Sequence, residues 1–409
     1  MADSGYPKKG EVIHARDVGE TFVGVVTTPD SSSDWAYKTS LVRRNDNVVD
    51  ALTYADGLLA SDTPGSAFMT TRLARVRLSS FANEYHTHTS SDFTELNDWR
   101  IRTDSSNTND LVFGDRYHDK WYLVSDPKLG SSNINSICYG NGKFVAVGSS
   151  GKMAYSYDGA TWTSVSDSKF GSSTIYGICY GNGKFVAVGS SGKMAYSLDG
   201  ISWTAVTDSR FGTTYIYNVC YGNGKFVAVG DGGKMAYSSD GITWTSVSDS
   251  EFNADTSIKG ICYGDGKFVA VGYSIDMYNY GGRMSYSSDG ITWTRVTDSR
   301  FGTSNIYSVC YGNGKFVAAG SEARIAYSSD GVTWDTTVSS GIGLIYGVCY
   351  GNGKFVAVGS SGKIDYSSDG DTWTAVSDSK FGDSSINSVC YGNGKFVAAG
   401  YSGKISYAI

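Results

Sequence analysis

At 409 residues with 52 Gly, 30 Tyr and only 4 Pro, the chain suits many short strands joined by tight turns and excludes a mainly helical protein. The net charge of −6 comes without a basic block, which excludes the electrostatic footprint of a nucleic-acid binder. A hydrophobic fraction of 40% in regular spacing argues against disorder, and no apolar run approaches the length of a membrane span.

Residues 1–17 are polar and lack the apolar core of a secretory signal, so the expectation is a chain made and folded in a cytosol. Residues 1–45 hold one strand signal, 21–27, between turn formers, and are too few to build a core. In 46–60 the period changes. Val48, Val49, Leu52, Ala55, Leu58 and Leu59 fall on one helical face, with Asn45, Asp46 or Asn47 as cap, which predicts a short amphipathic helix. Alternation from Ala74 predicts a strand near Leu78. A lone helix and strand bury little by themselves, so 46–115 is expected to oligomerise, with other copies of the chain as partners. His86 and His88, one residue apart, would share a side of an extended segment.

From 116 onward the chain repeats. A Cys-Tyr-Gly stretch recurs with its cysteine at 138, 179, 220, 262, 310, 349 and 390, in steps of 41, 41, 42, 48, 39 and 41 residues. That period marks a repeat architecture. Each unit reads as four strands separated by Gly-Asn-Gly, Ser-Ser-Gly and Asp-Gly turns, the pattern of a propeller blade. The last copy stops after its third strand, at Lys404–Ile409, without its fourth strand, and the missing piece is found ahead of the first copy, at Asp119–Asp126. The fold expected is therefore mainly β: a seven-bladed β-propeller over 116–409, its ring closed by the N-terminal strand, preceded by a small α/β attachment (1–45) and oligomerisation (46–115) region. Seven cysteines at equivalent positions of different repeats read as small buried apolar side chains, not as disulfides.

Function is expected where copies differ. The fourth copy carries Tyr273 to Arg283 where its neighbours have four residues, and Tyr273, Asp276, Tyr278, Asn279, Tyr280 and Arg283 suit stacking on sugars or contact with a protein surface. The blade connections, such as Asp167 to Gly171, are expected to present Lys or Arg and Phe on the same face. Catalytic sets are missing from the propeller: no His lies beyond 118, and the arginines are too few for a carboxylate-binding triad. No Cys/His spacing matches a zinc site. No enzyme activity and no cofactor are expected.

Two resemblances add to this. The motif Ser-x-Asp-Gly-x-Thr-Trp, at Asp158/Trp162, Asp199/Trp203, Asp240/Trp244, Asp289/Trp293, Asp330/Trp334 and Asp369/Trp373, is similar to the Asp-box, or sialidase-type repeat. The resemblance implies a structural turn between the third and fourth strands of a blade. The string His86-Thr-His88-Thr resembles the His-x-His segments of trimeric bacteriophage tail fibres. It implies a homotrimer with an iron, zinc or nickel ion on the threefold axis, held by His86 and His88. Together these lead to the expectation of a virion protein assembled in the host cytoplasm: a tail fibre or receptor-binding appendage. Its N-terminal region would join other tail or capsid proteins, and its propeller would bind a host surface glycan or protein. The alternatives are a capsid head fibre and, with less support, an Asp-box glycosidase.

Overall fold

The computed structural model describes residues 120–274, 276, 280–336 and 340–408 in full, and the backbone of strands in the N-terminal part. The chain divides into two compact units, Met1–Tyr117 and His118–Ile409. In the first unit, Val12–His14, Phe22–Val26, Thr39–Asn45 and Val48–Tyr54 form a four-stranded antiparallel sheet in chain order. A second sheet places Asn107–Asp115 between Val76–Arg77 and Trp99–Asp104. Val48–Tyr54 corrects the helix expected over 46–60. The register pairs Asn45 with Val48 and Thr39 with Tyr54, so Asn45, one of the expected cap residues, is the last residue of a paired strand. Val48 and Val49 are β-branched, and a seven-residue partner strand satisfies a backbone that a short isolated helix would leave marginal. No α-helix occurs among the described residues, and no helix there is long and apolar enough to cross a membrane.

The second unit is a seven-bladed β-propeller of four-stranded antiparallel sheets. Blade 2 shows how the sequence makes one: Ile175–Gly181, Lys184–Gly189, Met194–Ser197 and Thr204–Ala205. Gly181 pairs with Lys184, which leaves a two-residue turn of Asn182 (φ 44°) and Gly183 (φ 74°). Positive φ at both positions is the hairpin geometry that Asn-Gly favours. After Lys184 the second strand is apolar because a neighbouring blade covers each of its faces: Phe185, Val186, Ala187 and Val188 are fully buried. Between blades 1 and 2, Val145, Val147 and Met153 pack on Phe170, Ile175, Phe185 and Trp203, and equivalent cores recur around the ring.

The Cys-Tyr-Gly stretch has a steric explanation. A Cβ on Gly181 would stand 2.1 Å from Cγ of Tyr221 in the next blade. The same close approach links Gly140 to Tyr180 and, across the closure, Gly392 to Tyr139. Each tyrosine therefore lies in a space that only glycine leaves open.

At the third turn of blade 2, Asp199 Oδ1 accepts from the Ser197 hydroxyl (2.9 Å) and from the N–H groups of Ile201 and Ser202 (2.8 and 2.7 Å). Ser197 Oγ in turn accepts from the Gly200 N–H at 2.8 Å. The equivalent aspartates at 158, 240, 289, 330 and 369 make the same bonds. Burial works against the charge on Asp158, but the N–H groups of Thr161 and Ala160 outweigh it and hold the carboxyl at about 2. Trp162, Trp203, Trp244, Trp293 and Trp334 are buried behind these turns, and Trp373 is half-buried. These groups hold the blade together.

Closure follows the expectation. Tyr122–Leu123 is the fourth strand of blade 7, with Tyr122 opposite Tyr407 and Leu123 opposite Ser406. Trp121, 1% exposed, occupies the tryptophan place of that blade against Val356, Phe396 and Ala408.

Candidate functional site

First strands of neighbouring blades pack against each other all round the ring, so they line its axis. Each carries a buried isoleucine near its start, the first residue in six blades and the third, Ile258, in blade 4, and the register to the second strand skips the residue after it. Such a bulge leaves one residue unpaired and re-aims its side chain. The seven skipped residues are, in blade order, Asn135, Tyr176, Tyr217, Lys259, Tyr307, Tyr346 and Asn387. All are half-buried.

Consecutive members touch across the blade boundaries. Tyr176 and Tyr217 have ring centroids 5.4 Å apart, and Tyr307 and Tyr346 5.7 Å. Lys259 Nζ stands 3.2 Å from the centre of the Tyr217 ring and 5.5 Å from that of Tyr273, a cation held over aromatic faces. Tyr273 meets Tyr307 edge to face at 5.9 Å. On the far arc, Asn387 Nδ2 donates to the Ile134 carbonyl and Asn135 Nδ2 to that of Ile175, each at 2.8 Å. The ring thus has an aromatic arc centred on a lysine and a carboxamide arc opposite.

Residues from the surrounding loops extend this mouth. Tyr215 (44% exposed) packs on Tyr176 and Tyr217. Tyr280 and Tyr401 are exposed beside it, with Tyr280 near Tyr273 and Tyr401 near Tyr346. Asp231, on the second loop of blade 3, accepts from the Ser257 hydroxyl. Burial pushes Lys259 down to about 8, and Asp231 opposes that shift. Burial raises the Tyr217 phenol, with Asp231 adding to the effect.

The expected site residues fall partly here. The long loop of blade 4 is shorter than its sequence suggested, because Lys267–Ser274 and Gly281–Ser287 continue the hairpin and Ser274 pairs with Gly281. Tyr273 is therefore a strand residue and joins the ring. Asp276 donates its N–H to the Ser274 hydroxyl, and Arg283 bonds the Gly282 carbonyl. Tyr278, Asn279, His86 and His88 lie outside the described residues. The connection phenylalanines are not surface groups. Phe170, Phe211, Phe301 and Phe381 are at most 1% exposed, inserted into the cores between blades. Among the described residues no cluster of His, Cys, Asp or Glu is placed to hold a metal ion. All seven cysteines are free, and burial raises each thiol, as suits unreactive packing groups.

Fold and ring define this unit as a seven-bladed propeller with an aromatic, lysine-centred channel mouth. No protein-family model matches the chain, and no curated protein matches it. Solved structures of the same fold do. YCF48 from Cyanidioschyzon merolae is 16% identical with a TM-score of 0.55, covering 70% of this chain and 98% of its own. The WD40 propeller domain of Doa1 is 12% identical with a TM-score of 0.54, covering 71% and 97%. A catalytically inactive virginiamycin B lyase from Staphylococcus aureus, solved with quinupristin, is 8% identical with a TM-score of 0.58, covering 71% and 99%.

Proposed function

We propose that the chain is a non-enzymatic recognition protein whose propeller binds a surface glycan or protein at the channel mouth, and whose first 117 residues attach and oligomerise it. The observation that carries this reading is the ring of bulged residues, where four tyrosines and one lysine break an otherwise constant strand. Aromatic side chains supply large contact area at low entropic cost, and rigid scaffolds commonly present them for binding. The fold alone supports binding and catalysis equally. Its neighbours include YCF48 bound to a D1 peptide and a lyase, so the argument rests on the ring.

The virion setting, a tail fibre or related appendage, draws support from the His86/His88 segment and from an N-terminal unit that shares no repeat with the propeller. The full chain is expected to be a homotrimer, with a mass by light scattering three times that of one chain. A monomer at micromolar concentration would remove the fibre reading. Labelled full chain applied to a panel of bacterial surface polysaccharides and envelope proteins tests recognition itself. Retention by at least one, with loss on mutation of ring tyrosines, is the expected outcome, and no retention across hosts would contradict it.

A further inference from the structure

Lys259 is the one cation among the seven ring residues, and its surroundings are unusual for an ammonium. Its ammonium lies over the faces of Tyr217 and Tyr273, and no hydrogen bond or ion pair joins it to a protein oxygen among the described residues. An ammonium carries three N–H donors, and a ring face answers only part of that demand. The carboxylate facing it, Asp231, is engaged by the Ser257 hydroxyl and acts on Lys259 at longer range. The charge is thus under-compensated, which is what lets burial depress its proton affinity. A half-buried cation with free donors calls for an oxyanion.

The rest of the ring indicates what carries that oxyanion. Tyr176 and Tyr217 are tilted by 54°, Tyr307 and Tyr346 by 50°, and Tyr273 stands at 82° to Tyr307. These faces form a facetted wall and no parallel slot for a flat aromatic group. A pyranose presents C–H groups on both faces and can lie against several such facets. Opposite the lysine, Asn135 and Asn387 spend their Nδ2 groups on backbone carbonyls. Their Oδ1 atoms accept no protein hydrogen bond among the described residues and remain able to accept from hydroxyls.

We infer that the channel mouth is a subsite for a hexuronate residue of an acidic polysaccharide, its carboxylate paired with Lys259 and its ring against Tyr217 and Tyr307. This rests on the reading of the propeller as a recognition module and names its ligand class. An acidic peptide would satisfy the lysine but leaves the hydroxyl-accepting arc without a role.

Calorimetry on the full chain tests it with three probes: an oligogalacturonate, the same oligomer with its carboxylates reduced to alcohols, and an oligoglutamate of equal length. The oligogalacturonate is expected to bind, with the reduced oligomer weaker by about tenfold or more. Lys259→Met should lose that difference, and Lys259→Arg should keep most of it, with thermal unfolding confirming that both variants fold. Affinity should be highest near pH 6.5 and fall towards about pH 9.5 as Lys259 loses its proton, while Tyr217 and Tyr273, whose phenols burial raises, stay neutral over that range. Equal binding of the reduced oligomer, or an unchanged Lys259→Met, would overturn the subsite and leave the recognition reading standing. Preference for oligoglutamate, or binding of none of the three, would also overturn it. The recognition reading itself falls only with the polysaccharide and protein panel.

Discussion

Trp121→Ala is expected to be the most damaging single truncation in the propeller, costing about 3–5 kcal/mol. The side chain is 1% exposed and fills the space between Val356 and Ile364 of blade 6 and Phe396, Ala398 and Ala408 of blade 7. Truncating any of the other fully buried blade tryptophans creates a comparable cavity. The difference lies in what else holds the strand. Trp162 follows a short turn that Asp158 and Ser156 bind together, so its strand stays tethered to its own blade. Trp121 immediately precedes a strand, Tyr122–Leu123, whose sheet partner is at the other end of the chain. That strand is held by two register pairs, by the Val124 N–H to Ile405 carbonyl bond of 2.9 Å, and by an isolated parallel backbone β-bridge between Lys120 and Asp378. Loss of the indole should therefore release the closing strand and expose an edge of blade 7. Urea denaturation of the two variants decides it. Trp121→Ala should be at least as destabilised as Trp162→Ala, and a clearly smaller loss would mean that the ring does not depend on this strand.

Tyr217→Ala combined with Tyr307→Ala is expected to weaken retention of whatever panel member the full chain binds by about a hundredfold. Buried aromatic anchors at the centre of an interface commonly contribute about 2 kcal/mol or more each, although paired losses are not additive. The two residues belong to blades 3 and 5 and flank Lys259 on either side, so their loss removes both walls of the aromatic arc. Each is a bulge residue that takes no part in the strand register, so stability should change little. Equal retention by wild type and variant, with both folded, would place recognition elsewhere.

Much of the architecture was legible because repeats expose their own rules. The truncated last copy and the Trp121 segment together announced a ring with a shared blade, and the Asn-Gly and Asp-Gly pairs located the turns. Two misreadings have physical causes. Apolar spacing over Val48 to Leu59 fits a helix, but strand partners outside the window decide such a segment. The phenylalanines of the blade connections follow a Lys or Arg in what looks like a polar loop. Positive φ at Lys169 (68°) and Arg210 (68°) turns the chain so that the next side chain drops into the core. The site was harder to see. Inserted loops draw attention, whereas the ring is spelled by one substituted position, just after the isoleucine that stands four places before each repeat cysteine. Asn135, Tyr176, Tyr217, Lys259, Tyr307, Tyr346 and Asn387 stand in columns that can be aligned by eye. Only the register skip, which needs a sheet to be seen, turns that column into a ring.

The measurement that bears most directly on the mouth as recognition surface is hydroxyl-radical footprinting of the full chain with and without a bound panel member. Protection of Tyr176, Tyr217, Tyr307 and Tyr346, with no change at Tyr157, which is 58% exposed on a turn between third and fourth strands, is the predicted result. Protection of Tyr157 with the ring tyrosines unchanged would contradict it.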